Sequence, residues 1–107
     1  MQGDRDLDIA RNIRLIEWLK SELITGVAET YRLMLNGARA GQETIADALA
    51  SIILACYLLG KRLGIHYAIV DQKMESKIRL GIVEEHEIEK DYGDLSSLAS
   101  YIRNNRG

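Results

Sequence analysis

The densest set of ionisable groups in this chain is EEHEIEKDYGD at 84–94, where six acidic residues stand against one Lys. Carboxylates around an imidazole could hold a divalent cation, but His86 has no second His at ligand spacing. The run therefore reads as a solvated helix or loop anchored by Ile88 and Tyr92. A thiolate could act as a nucleophile, yet the single cysteine, Cys56, lies on an apolar stripe with no His or Asp beside it. It reads as a buried small hydrophobe and has no internal disulfide partner. Three further groups carry charge that chemistry could use. Lys73, Lys77 and Arg79 read as the polar face of an amphipathic helix, Arg103 and Arg106 as terminal cations that meet phosphate or stay solvated. Glu29 is placed to pair with Arg32 or Arg62, and Asp47 suits the positive end of a helix dipole.

The element that must position these residues is the stretch TIADALASIILACYLLGKRLGI, Thr44 to Ile65. Ile45, Leu49, Ile52, Ile53, Cys56, Leu59 and Leu63 recur at three- and four-residue steps, which predicts a central helix with one apolar stripe. Ala46, Ala48, Ala50, Leu54 and Ala55 widen that surface, so the helix needs cover on more than one side. Lys61 and Arg62 suit a last turn, Gly64 a left-handed closing residue, and Ile65 the clasp of a Schellman motif.

Upstream, Ile9, Ile13, Ile16, Leu19, Leu23, Val27, Tyr31 and Met34 hold a helical stripe, capped by Asp6 or Asp8. That region is one long helix or two, with a division near Ser21 or a kink at Thr25-Gly26 both open. Asn36, Gly37 and Gly41 make the turn into the central helix. Downstream, Tyr67, Val70, Met74 and Ile78 form one face of a further helix. IRLGI at 78–82 echoes KRLGI at 61–65, so the same stop is expected at Gly81, with Ile82 as its clasp. Asp94 is expected to cap a last segment carrying Leu95, Leu98 and Ile102.

At 107 residues, with no Pro, no Phe and nearly half the residues apolar, the chain reads as one helical domain near the size where a second copy adds much. Its expected organisation is a flexible leader 1–6, a domain 7–103 with helical regions near 8–36, 43–63, 66–80, 83–91 and 95–103, and a tail 104–107. A net charge of −2 offers no general attraction to nucleic acid or anionic membranes. The polar, acidic start MQGDRDLD does not read as a secretion signal, and the apolar run from Ile52 to Leu59 is shorter than the about 20 residues a bilayer needs. A cytoplasmic protein without nucleic-acid or membrane partners follows.

The central stretch, followed by GIHYAIVDQKMESK and preceded by GVAETYRLMLNG, resembles the MazG-like branch of the all-α nucleoside triphosphate pyrophosphohydrolase superfamily over roughly residues 9–80. The resemblance implies an all-α helical bundle of four to five helices completed by dimerisation, with a homodimer or a tetramer of two dimers as the assembly. It also implies a nucleoside triphosphate bound between helices and Mg²⁺ that assists release of pyrophosphate. Hard oxygen ligands at i and i+3 or i+4 on facing helices would supply such a cation.

The chain departs from that pattern where the chemistry sits. Aligned with the E-E-x-x-E motif it reads Thr25, Gly26, Val27, Ala28, Glu29, and aligned with E-x-x-D it has Ala48 and Ser51. Glu29 and Asp47, with Glu43 beside them, remain as metal-ligand candidates. Lys73, Lys77 and Arg79 stand where the resemblance places phosphate-contacting cations. Two readings follow: a divergent Mg²⁺-dependent hydrolase with weakened or lost catalysis, or a non-catalytic dimeric module for nucleotide sensing or protein interaction.

Overall fold

A computed structural model describes residues 2–35 and 41–106 and forms five helices, with no strand among those residues. They are α1 (Gln2–Leu35), α2 (Gln42–Arg62), α3 (Tyr67–Val83), α4 (Glu87–Tyr92) and α5 (Asp94–Arg106). The all-α expectation holds. The chain falls into two compact units, Met1–Tyr67 and Ala68–Gly107.

In the first unit α1 and α2 pack as an antiparallel hairpin, since Asn12 meets Arg62 near one end and Gly26 meets Ile52 further along. The less exposed positions of α1 are Asn12, Ile16, Leu19, Leu23, Gly26, Thr30 and Leu33, with Glu29 at the edge of the same side, and those of α2 include Ile45, Ala48, Ile52, Ala55 and Leu59. Both sets alternate steps of three and four, the spacing of a coiled-coil seam. The most buried members are Leu19, Ala48 and Ala55. Small side chains at the seam let two helix backbones approach closely, as at Gly26, where an added Cβ would stand 3.0 Å from Ile52 Cγ1.

That seam corrects the expected stripe. Leu49, Ile53, Cys56 and Leu63 were expected on the buried side of the central helix, and all four are exposed, Cys56 included. Ile9, Ile13, Val27, Tyr31 and Met34 of α1 are exposed as well. The reason is steric. The side of α2 facing α1 alternates Ile45, Ile52 and Leu59 with Ala48 and Ala55, which permits a tighter hairpin than an unbroken ridge of Leu and Ile would, and Leu49, Ile53 and Leu63 are turned outward.

The helix limits differ in places from expectation. α1 begins at Gln2, with Asp4 in its first turn where negative charge offsets exposed amides, so residues 2–6 are helical and Asp6 and Asp8 lie inside the helix. It runs unbroken through Ser21, Thr25 and Gly26 as one helix. Asn36 and Gly37 lie outside the described residues, and Gly41 precedes α2 in an extended conformation. With 21 residues, α2 is long and apolar enough to cross a membrane by length and composition, which the run Ile52–Leu59 alone did not suggest.

At Gly64 the stop is as expected. Gly64 has φ +86°, its N–H donates to Lys61 O (3.1 Å), and the N–H of Ile65 donates to Gly60 O (2.8 Å), the paired bonds of a Schellman motif. Just beyond, the Tyr67 ring meets Tyr57 edge-on at 6.0 Å, with Lys61 Nζ 5.7 Å from its centroid. The echo at Gly81 does not stop its helix. α3 continues to Val83, and the left-handed residue is Glu85, φ 52°. Its N–H donates to Ile82 O (3.1 Å) and that of His86 to Gly81 O (2.9 Å), the same motif moved four residues on. Gly81 instead serves close approach: a Cβ there would stand 2.6 Å from Leu95 Cδ1.

The second unit has a buried Ile78 on α3 and a buried Ile102 on α5. Its acidic run is used for capping. His86 Nδ1 accepts from the N–H of Ile88 (3.2 Å) at the start of α4. The Glu89 carboxylate accepts from the N–H of Ser96 (2.9 Å) and from its hydroxyl, so Glu89 satisfies the first turn of α5 where Asp94 was expected to act.

The two Ser96 hydrogen bonds hold the Glu89 carboxyl below the ordinary glutamate range, the hydroxyl bond being the larger cause. A depressed value in the folded state contributes stability that is present above the unfolded-state value, about 4.3, and is lost as pH falls through the lower folded value. Protection of the Ser96 amide against hydrogen exchange should therefore fall as pH drops below about 4, and Glu89→Gln should remove that dependence. Protection that is flat with pH in the unsubstituted protein would refute the cap.

Candidate functional site

The helical hairpin brings the two metal-ligand candidates to one level. Three residues beyond Gly26 on α1 is Glu29, and three residues back from Ile52 on α2 is Leu49, next to Ala48 and two residues from both Asp47 and Ser51. What surrounds them differs from a cation site. The half-buried Glu29 carboxylate pairs with the Arg32 guanidinium one turn on, along the same helix. Arg62, the other partner considered, instead donates to Asn12 Oδ1 (3.2 Å), while Asn12 Nδ2 donates to the Arg62 carbonyl oxygen (3.1 Å). Asp47 and Glu43 are exposed.

The positions without acids have structural employment. Gly26 lies against Ile52, and Ala48 is buried in the seam. The Ser51 hydroxyl donates back to the Asp47 carbonyl (3.1 Å), as Thr30 Oγ1 does to the Gly26 carbonyl (2.9 Å). Thr25 is exposed. A pair of Mg²⁺ ions requires several carboxylate oxygens in near-octahedral array. Among the described residues there is no group of three or more His, Cys, Asp or Glu able to hold a metal ion. One carboxylate committed to Arg32 and one exposed Asp47 do not fit a two-cation site.

Lys73, Lys77 and Arg79 do not share a face. Lys73 and Lys77 are one turn apart on α3, but Arg79 is two residues further, about 200° round a 3.6-residue helix. Arg79 lies instead on the ridge of Asp71 and Glu75, which corrects the expectation that all three line up. The sequence reading missed Asn12, whose side chain ties α1 to the carbonyl end of α2. A signal was present: Asn12 is the one amide side chain in the series 12, 16, 19, 23 at seam spacing.

The MazG-like family model matches residues 9–95, which cover most of the chain, and the chain belongs to the MazG-like family. No curated protein and no solved structure matches it.

If Ala48 is a seam residue rather than a vacant ligand position, restoring an acid there should be costly. Ala48→Glu overpacks the hairpin and buries an unsatisfied charge, and should lower stability by about 2 kcal/mol or more in urea unfolding. Ser51→Asp, at an exposed position, should stay within about 0.5 kcal/mol. Equal tolerance of both would place Ala48 outside the seam.

Proposed function

We propose that this MazG-like chain is a non-catalytic helical module that works by association, its α1–α2 hairpin pairing with that of a second copy. The observation that carries the reading is the use made of the motif positions: Gly26 and Ala48 seat one helix on the other, where the family pattern would place carboxylates. A position that closes a helix contact cannot also present an oxygen to a cation. The surviving Glu29 is neutralised by Arg32, which leaves the positive charge of Mg²⁺ and the negative charge of a triphosphate with little to organise them.

The outward face supports association with a like surface. Trp18 is 54% exposed, Tyr31 69%, Ile53 55% and Leu54 59%, so large apolar groups of both helices meet water in the single chain. Large apolar side chains left exposed on both helices supply what an interface between copies would bury. Two hairpins related by a two-fold axis would cover it as a four-helix bundle, the self-complementary arrangement that homodimers favour. A tetramer of two such dimers extends the same logic.

Two measurements test the reading. A pyrophosphate-release assay over a panel of nucleoside triphosphates, with Mg²⁺ and with Mn²⁺, should give no turnover above a Glu29→Gln control; turnover that this substitution abolishes would establish catalysis and overturn the proposal. Light scattering of detergent-free protein at micromolar concentration should give at least twice the chain mass of 12.0 kDa. Ile53→Glu should shift it toward the monomer with helicity retained. A monomeric mass, or a chain recovered only with detergent, would refute pairing through this face.

A further inference from the structure

Away from the hairpin, residues of α3 and α5 line an open groove of about 590 Å³, within the range of sites that take small organic ligands. Its composition is specific. Ile78 and Ile102, one from each helix and both buried, provide an apolar floor. Arg79 on α3 and Arg103 on α5 bring one guanidinium from each wall, and neither takes part in an ion pair among the described residues. Glu75 lies one turn from Arg79 on the same ridge, about 6 Å along the helix axis. Asp71, a turn further, has an interaction of its own, and Glu75 is the carboxylate nearer Arg79 along the ridge.

We infer that this groove binds a phosphate monoester with an apolar or aromatic body and an amine. The chemistry follows from the walls. Guanidinium is planar, always charged and matched to phosphate oxygens by paired N–H donors, so arginines from opposite walls suit a doubly charged phosphate. The isoleucine floor takes the body, and Glu75 accepts from the amine. Glu75 also selects against a longer polyphosphate, whose additional charge would meet like charge on the α3 ridge. The family resemblance would place Arg79 with Lys73 and Lys77 as phosphate-contacting cations; the groove sets Arg79 beside Arg103 instead. The inference is independent of the proposed function, because it uses none of the hairpin residues.

Tyramine phosphate, phenyl phosphate and inorganic phosphate are suitable probes in calorimetric titrations of the full chain. Tyramine phosphate should bind most tightly and inorganic phosphate least. Arg79→Gln and Arg103→Gln should each weaken both esters by about tenfold. Glu75→Gln should weaken tyramine phosphate and leave phenyl phosphate unchanged, a split that general loss of structure would not produce. On the unsubstituted protein, methyl NMR signals of Ile78 and Ile102 should shift on titration, which keeps the test valid should a variant unfold. Esters that bind no better than inorganic phosphate, affinities unmoved by both arginine substitutions, or shifts that leave Ile78 and Ile102 untouched would overturn the assignment.

Discussion

The close approach of α1 and α2 is the contact on which the rest of the first unit depends. Dispersion falls off steeply with separation, so two helices gain most where side chains are small enough to admit the neighbouring backbone. Gly26, Ala48 and Ala55 meet that condition, and Leu19 fills the seam beside them. The register that follows places Asn12 under the last carbonyl groups of α2, so a polar side chain satisfies a helix end that packing alone would leave open. The same register brings Glu29 to the level of the α2 motif positions and seats Ala48 inside the seam.

Much of this fold was legible. Helical periodicity in a chain without Pro gives the five helices, and the end of α2 was written in Lys61, Arg62, Gly64 and Ile65, each with a local physical role. The second LGI was misleading because a glycine has two uses. At Gly64 it supplies a positive φ, whereas at Gly81 it supplies room for Leu95, and the left-handed turn falls to Glu85. Local sequence does not distinguish these, since the second use depends on a residue distant in the chain. The inward face of α2 was obscured by a similar cause. Hydrophobicity ranks Leu49 and Ile53 above Ala48 and Ala55, but closeness of packing, which no single helix reveals, favours the alanines.

The candidate site divides along the same line. The pairing of Glu29 with Arg32 was readable from i, i+3 spacing, and the missing acids were readable from the family pattern. Arg103 was recognised as a cation without a place, because only the packing of α5 near α3 joins it to Arg79. The acidic run 84–94, the part of the sequence that most resembled chemistry, contributes caps: His86 at the start of α4 and Glu89 at the start of α5. One acid of the six, Glu89, and the His86 imidazole are here spent on amide groups of short helices.

In α1, positions 23, 26, 30 and 33 lie on the less exposed side, while Ile24, Val27, Tyr31 and Met34, each one residue further on, are exposed. Neighbouring residues in a helix are about 100° apart. Losing or gaining one residue upstream of this stretch would turn it by that angle relative to the N-terminal half of α1 and exchange seam for surface. A substitution on either side acts at one position, whereas a length change within the helix shifts every later residue, and steps near seven residues restore both faces together. The hairpin therefore depends more strictly on the spacing of this helix than on its composition, and every motif acid can be absent while the count between Asn12 and Leu33 still sets the seam.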